Sequence, residues 1–503
     1  MTTPKARFFN LARLSEVGSA LVLAIWLTTA IASPAQTFTT LINFDGTNGA
    51  NPDLMSLIQG TNGSFYGTTN GGGAYGNCTE TVGCGTIFKI TPGGTLTTLL
   101  SFDNTDGSGP APGLVQTTNG YFYGVNSNGG DFGECFGLGC GTVFKITPTG
   151  TVTTLHSFDF ADGANPNAPL VQATDGNFYG STVNGGASSN CSDACGTVFK
   201  ITPGGTLTTL HSFDFTDGRA PFGGLVQATN GYLYGTAVNG GATSNCSIGC
   251  GTVFKITPGG TLTTLHDFDG TDGAYPFAGL VQATDGDLYG TTFSGGASSN
   301  CSGGCGTVFK ITPGGTLTTL HSFDFTDGAY PQAGLVQATD GDLYGTTSGN
   351  SSTGLTNYGT VFKITPGGTL TTLHSFDGTD GAYPYGGLFQ ATNGKFYGTT
   401  YQGGDLSCGG GYGCGTVFSL SVGLGPFVQT LPTSGKVGAK VIILGSNLTD
   451  TTSVTFNGAA ATFTVVKSTQ ITATVPTGAT TGTVEVTTPS GTLSSNVAFR
   501  VMP

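Results

Sequence analysis

GTVFKITPGGTLTTLHSFD, Gly306–Asp324, is the stretch whose reading decides the fold. Its opening phrase returns, with small changes, at Gly85, Gly141, Gly196, Gly251 and Gly359, and as GTVFSL at Gly415. Around it lies a unit of about 55 residues, present seven times between Thr37 and Ser421. Self-similarity at such a period marks an array whose units bury their apolar faces only against one another.

Turn residues cut the unit into strands. GLVQAT (Gly279–Thr284) reads as the first, and Asp285-Gly286 as a two-residue hairpin turn. DLYGTT (Asp287–Thr292) is the second strand, and a longer loop with Gly295, Gly296, Cys301 and Cys305 follows it. GTVFKIT (Gly306–Thr312) is the third, Pro313-Gly314-Gly315 turns the chain, and TLTTLHSF (Thr316–Phe323) is the fourth. β-branched and aromatic residues fill all four, and no segment has a helical period.

Four antiparallel strands per unit, repeated seven times, predict an all-β, seven-bladed β-propeller. The ends agree in phase. The array opens with a lone fourth strand, TFTTLINF (Thr37–Phe44), and closes with a third, GTVFSLS (Gly415–Ser421), that has no successor. Joining the two closes the ring and removes its open edges. A β-solenoid, the alternative, would not need complementary ends.

The GTVFKITPGGTLTTLHSFD and GLVQATDGxLYGTT phrases resemble the glycine-rich tandem repeats called GloVer repeats in exported bacterial proteins. That resemblance brings no established activity. Beyond Gly423 the pattern changes. LPTSGKVGAKVIILGSNL, SVTFNG, ITATVPTGATTGTVEVTTPSG and the closing AFRV resemble the IPT/TIG family. The likeness implies an immunoglobulin-like sandwich over residues 425–503, serving as spacer or interaction module. Contacts to DNA made by some eukaryotic relatives are not carried over, given the charge and the export signal. The expected domains are a signal peptide over 1–35, the propeller over 37–422 and this sandwich.

The leader reading rests on Lys5, Arg7 and Arg13, the apolar run Val17–Ala32, and the small residues Ala30, Ala32, Ser33 and Ala35. An uncleaved anchor is the alternative, but the run is short for a bilayer. The formal charge of −13 becomes −15 once Lys5, Arg7, Arg13 and Glu16 are removed. Such a surface repels nucleic acid and anionic lipid. Secretion or cell-surface display, no membrane insertion after cleavage and a monomeric state are expected.

Twelve cysteines fall in six close pairs: Cys78/Cys84, Cys135/Cys140, Cys191/Cys195, Cys246/Cys250, Cys301/Cys305 and Cys408/Cys414. The sixth unit lacks both members, with Ser348–Tyr358 in their place, as within-unit disulfides in an oxidising compartment predict. Each bridge closes a short loop and stabilises by roughly 2 kcal/mol in the chain-entropy model, so its role is to stiffen that loop. Zinc usually wants four ligands, more than one pair supplies.

In such a ring the long loops, after the second and fourth strands, share one face, and the tight turns share the other. A site is expected on the long-loop face. Aromatic and amide side chains beside those loops vary from copy to copy: Phe222, Tyr275, Phe277, Tyr330, Gln332, Tyr383 and Tyr385, with Asn165 and Asn167 at comparable places. They suit stacking on and hydrogen bonding to a sugar, although packing between blades also explains the rings. Repeated aspartates, among them Asp214, Asp217, Asp269, Asp272, Asp324 and Asp327, suit turn capping, with calcium as the lesser reading. No other cofactor is expected.

His156, His211, His266, His321 and His374 share one position, held by Ile42 and Leu100 in the other copies, which indicates packing. Lys89, Lys145, Lys200, Lys255, Lys310 and Lys363 recur in the third strand and are expected to bury their stems between blades and pair with carboxylates. The sequons at Asn77, Asn190, Asn245 and Asn300 read as polar loop residues. No GxSxG, HExxH or P-loop is present, so the chain is expected to be non-enzymatic. It reads as an exported binding or adhesion protein for extracellular polysaccharide or a surface protein. A structural envelope component is the alternative, and a glycan lyase or hydrolase the next.

Overall fold

The computed structural model describes residues 36–503 apart from 54–55, 76–82, 104, 131–134, 193, 244 and 350–356. The leader expected over 1–35 therefore lies outside the described residues.

The fifth repeat shows the local logic. Val281–Gln282, Leu288–Thr292, Thr307–Ile311 and Leu317–Ser322 form one antiparallel sheet in chain order. The second strand is buried at every position and the third at all but Lys310, because both faces of the sheet meet a neighbour. The innermost strand is two residues long, shorter than the sequence suggests, since the chain already turns at Ala283. That turn is also one residue longer than a two-residue hairpin. Ala283 N–H reaches Asp287 O at 2.9 Å, and Gly286 takes φ +89° to close the loop. In the outer strand a bulge at Leu320 separates Thr319, opposite Phe309, from His321, opposite Val308.

Seven such sheets follow one another among the described residues, the second carrying an extra short strand at Ser108–Pro110. Thr37–Asn43 pairs with Thr416–Ser421, so the first segment completes the last sheet. Apolar clusters occupy each seam between successive sheets. The closing seam is filled by Phe44, Tyr397 and Val417 from one side and Leu57, Phe65 and Phe88 from the other. A second tie recurs at six of the seven seams: the glutamine of the innermost strand accepts a bond from a threonine N–H of the preceding sheet. Thr284 N to Gln337 Oε1 is 2.8 Å, and Thr392 N to Gln59 Oε1, across the closing seam, is 3.0 Å. The closed ring of sheets is thus a β-propeller, and no α-helix occurs among the described residues.

The C-terminal part is a sandwich. One sheet holds Gln429–Leu431, Lys440–Leu444, Gln470–Thr474 and Phe463–Lys467. The other holds Ala459–Ala460, Ser453–Phe456, Val484–Thr488 and Gly491–Ser494. Alternating residues such as Val441, Ile443, Val484 and Val486 fill the space between them. This domain meets the propeller at its tight turns. Phe427 N–H donates to Thr392 O at 3.0 Å, and Thr469 Oγ1 reaches Thr61 O at 3.5 Å. These contacts are on the face opposite the long loops.

Phe38 anchors the closing strand, stacking on His374 at 3.7 Å and meeting Phe418 at 5.2 Å. Phe38→Ala is expected to lower stability by about 2 kcal/mol, below the cost for a fully buried ring because Phe38 is only partly covered. Denaturant unfolding measures this. An unchanged midpoint would mean the first strand does not hold the ring shut.

Candidate functional site

The long-loop face is built by one recurrent contact. In each unit the chain crosses from the outer strand toward the axis and passes through a left-handed residue followed by proline. The left-handed positions are Asn51, Gly109, Asn165, Ala220, Tyr275, Tyr330 and Tyr383, with φ between +53° and +58°. Asparagine and glycine tolerate this region, whereas bulky tyrosine at φ +58° is strained. Each such residue donates its N–H to the carbonyl of the residue that ends the preceding sheet's long loop. Tyr275 reaches Cys250 O, and Tyr330 reaches Cys305 O, both at 2.8 Å. Gly109 reaches Cys84 O at 3.1 Å, and in the unit without cysteines Tyr358 O serves Tyr383 at 2.8 Å.

Disulfides fix those carbonyls. Five of the six expected bridges are seen: Cys135–Cys140, Cys191–Cys195, Cys246–Cys250, Cys301–Cys305 and Cys408–Cys414. The expected Cys78–Cys84 bridge is not among them, because Cys78 lies outside the described residues. Cys84 itself is buried, 1% exposed, and is a disulfide cysteine. The glycine that opens each GTVFKI phrase is required by the same junction. At Gly306, φ is +94°, and a Cβ would fall 2.4 Å from Thr292 O and 2.7 Å from Pro331 Cδ of the next unit. From the other side, hydroxyls of the second strands hold the crossing segment: Thr236 Oγ1 to Ala278 O is 2.8 Å, and Thr291 Oγ1 to Ala333 O is 2.9 Å.

What this framework presents is the residue after each proline. Around the axis these are Asp53, Ala111, Asn167, Phe222, Phe277, Gln332 and Tyr385. The scaffold repeats closely, and this position does not. Asn167, Phe222, Phe277 and Gln332 line an axial cavity of about 220 Å³, with Gly224, Gly279 and Gly334 also in its wall. All four are half-buried. Phe222 and Phe277 meet edge to face at 5.7 Å, Phe277 touches Phe293 at 5.5 Å, and Phe293 touches Tyr330 at 5.0 Å.

Of the residues singled out from sequence, Phe222, Phe277 and Gln332 therefore reach the cavity. Tyr275, Tyr330 and Tyr383 occupy the strained row behind it, and Tyr330 is only 8% exposed. Tyr385 belongs to the variable ring and lies 6.3 Å from Tyr383 and 5.1 Å from Tyr401. Burial, then the nearby Asp53 carboxylate, push its hydroxyl up to about 12. Asp53 escaped the sequence reading because the first repeat has one more residue between its proline and Leu57, which hides the alignment.

The aspartates are turn caps. Asp324 Oδ1 accepts from Thr326 N at 2.9 Å and from Thr326 Oγ1 at 2.6 Å. Asp327 Oδ1 accepts from Asp324 N at 3.0 Å, and its Oδ2 meets His321 Nε2 at 2.7 Å. Asp214/Asp217 and Asp269/Asp272 repeat the pattern. Among the described residues no three His, Cys, Asp or Glu side chains gather as a metal group.

Two sequence expectations need correction. The histidines do pack edge-on against phenylalanine, as His321 does on Phe323 at 5.1 Å, but each also pairs with an aspartate six residues on. The bulge brings the two side chains together. The lysines find partners within their own sheet, at the residue after the tight turn, rather than uniformly as ion pairs. Lys310 meets Asp287 at 3.2 Å and Lys363 meets Asp342 at 2.8 Å, whereas Lys145 and Lys255 lie over Tyr121 and Tyr232. In the last copy the residues are exchanged, with Lys395 at the turn and Ser419 in the strand. Three sequon asparagines act as loop ties, for example Asn300 Nδ2 to Asp324 O at 2.8 Å. Asn77 lies outside the described residues.

The Gloeobacter/Verrucomicrobia repeat pattern matches residues 29–193, 187–418 and 297–460, and the IPT/TIG domain pattern matches 427–501. Among curated proteins none matches. Solved structures with similar coordinates include a luciferin-regenerating enzyme, 11% identical with TM-score 0.40, covering 78% of this chain and 98% of that one. A gluconolactonase from Xanthomonas campestris is 13% identical with TM-score 0.36, covering 62% and 86%. The extracellular domain of a candidate one-component system from Bacteroides thetaiotaomicron is 12% identical with TM-score 0.44, covering 93% of this chain and 59% of that one. At these values the likenesses carry no inference about activity.

The capping pattern sets the acid response. Bonds from Thr216, Thr271, Thr326 and Thr379 side chains, first among the causes, hold Asp214, Asp269, Asp324 and Asp377 below their ordinary 3.8. Their stabilising contribution is present above that value and is lost as pH falls below it through the folded values. Asp106 is opposite in sign. Leu100 stands where five copies have histidine, and burial raises the Asp106 carboxyl. Its contribution is present below 3.8 and lost as pH rises through the raised value. Asp106→Asn, which copies Asn48 of the first repeat, is expected to stabilise at pH 7 by up to about 1 kcal/mol and to have no such effect at pH 3. Thermal unfolding at both pH values distinguishes this from a pH-independent change.

Proposed function

Because the chain belongs to the Gloeobacter/Verrucomicrobia repeat family and ends in an IPT/TIG domain, we propose that it is an exported, non-enzymatic binding protein that recognises extracellular glycan at the axial mouth of its long-loop face. A repeat propeller followed by such a domain is an arrangement of the extracellular type. Five disulfides suit an oxidising compartment, and residues 1–35 are read as the leader that delivers the chain there. Among the described residues no helix is long and apolar enough to cross a membrane.

One observation carries the binding reading. In a unit repeated with little change, the residue after the proline is of six different types in seven copies. A packing position repeats its residue, as the buried tyrosines of the second strands do from Tyr66 to Tyr397. A position that faces a ligand with no sevenfold symmetry does not. Half-buried Phe222 and Phe277 offer apolar faces, and Asn167 and Gln332 offer donors and acceptors beside them. Aromatic faces next to amides suit the mixed C–H and hydroxyl surface of a sugar.

A surface protein as ligand has its own support. Tips of the long loops expose Tyr75, Leu138, Leu406 and Tyr412, the last 70% exposed. Apolar side chains on stiffened loops suit a protein partner.

The test is binding of the full-length protein to a broad glycan panel, with calcium and again with chelator. Selective binding that survives chelation and falls at least tenfold in Phe222→Ala and in Phe277→Ala is expected. Loss on chelation would give the aspartate loops an ion role. Binding that is unaffected by either variant would move the site away from the axis. No binding to any glycan would favour the protein partner.

A further inference from the structure

We infer that the axial cavity takes the terminal unit of a neutral glycan, entered end-on, with one chain end bound per protein molecule. The inference rests on the glycan-binding reading and narrows it. Repetition of the scaffold alone would suggest a polymer lying across several equivalent sites. The structure instead has a cavity on the axis, and every one of the seven units contributes to its wall, from Ser56 and Pro112 round to Gly387. A cavity walled on all sides admits a chain along the axis, by its end.

Its size fits one ring. About 220 Å³ is below the roughly 300–1,000 Å³ of pockets that enclose larger ligands. Its chemistry selects against charge. Among the described residues no side chain in the wall is ionisable, so a carboxylate or ammonium drawn inside would meet no partner of opposite sign. Asp53, close enough to Tyr385 to raise its hydroxyl, adds a negative charge among the residues after the prolines, and the chain as a whole carries −13. Both oppose uronic acids and sulfated sugars. The polar side chains of the wall are neutral: the amides of Asn167 and Gln332 and the hydroxyl of Ser56. Asn167 and Gln332 flank the Phe222–Phe277 pair, whose rings stand at 62° and form a corner for one sugar face. Hydroxyls on the sugar's edges then meet groups that both donate and accept.

The rim is also pre-formed. The N–H of the left-handed residue behind Phe277 is fixed by the Cys250 carbonyl, and the residue after Phe277 is held through its own carbonyl by Thr236. Little conformational freedom is left to lose on binding, which favours recognition of one small unit.

The experiment is calorimetry on the full-length protein with cello-, malto-, xylo-, manno- and laminari-hexaose and with hexagalacturonate. The best binder is then titrated as two polymer fractions of different length. Expected is a preference for a neutral hexaose, a number of protein molecules per chain that does not grow with length, and at least tenfold weaker binding in Asn167→Ala and in Gln332→Ala with unfolding midpoints unchanged. A site number that rises with chain length would overturn end-on entry while leaving glycan binding in place. Preference for the galacturonate would overturn the neutral class. Equal binding by both amide variants would overturn the assignment to this cavity. No binding to any neutral glycan would overturn this inference together with the reading beneath it.

Discussion

Each sheet in the ring must bury both of its faces, and this constraint governs the rest of the molecule. The third strand of every unit is apolar on both sides, so a unit standing alone would expose both to water. Seven units in a closed circle leave no face uncovered, and the closing strand from Thr37 to Asn43 supplies the last neighbour. Burial of apolar surface drives the closure, while the glutamine-to-threonine bonds set the register of one sheet against the next.

Closure has a consequence for function. Segments crossing from rim to axis converge from all sides, and every unit contributes to the wall of the axial cavity. The disulfide loops, the cysteine carbonyls and the second-strand hydroxyls all bear on that crossing segment. Tyrosine in the left-handed region at three of the seven positions adds local strain, which the surrounding bonds hold in place. The sevenfold part of the molecule therefore acts as a mount, on which the residues after the prolines, from Asp53 to Tyr385, differ from copy to copy. The sandwich domain lies at the tight-turn face and leaves this ring unaffected by its contacts.

Much of this was legible in the sequence. Strand order, ring closure and the cysteine pairing within units follow from turn residues, phase and the joint loss of two cysteines in the sixth unit. Phe222, Phe277 and Gln332 were legible as variable positions because the repeats provide an internal comparison. Other features were hidden for physical reasons. The histidine–aspartate pair depends on a bulge at Leu320, which period-two reasoning does not place. The left-handed row is visible through asparagine and glycine in three copies, but tyrosine and alanine in the other four mask it. Asp53 was concealed by one inserted residue. Tyr289 to Asp285, a 2.7 Å bond that locks the tight turn, pairs residues that the sequence presents only as strand and turn formers.

The most direct test of the account is a crystal structure of the protein soaked with its best-binding oligosaccharide. The account expects density for a single terminal sugar on the axis, against Phe222 and Phe277 and within hydrogen-bonding reach of Asn167 and Gln332. Density on the outer strands, at the loop tips or on the C-terminal domain, with none on the axis, would contradict it.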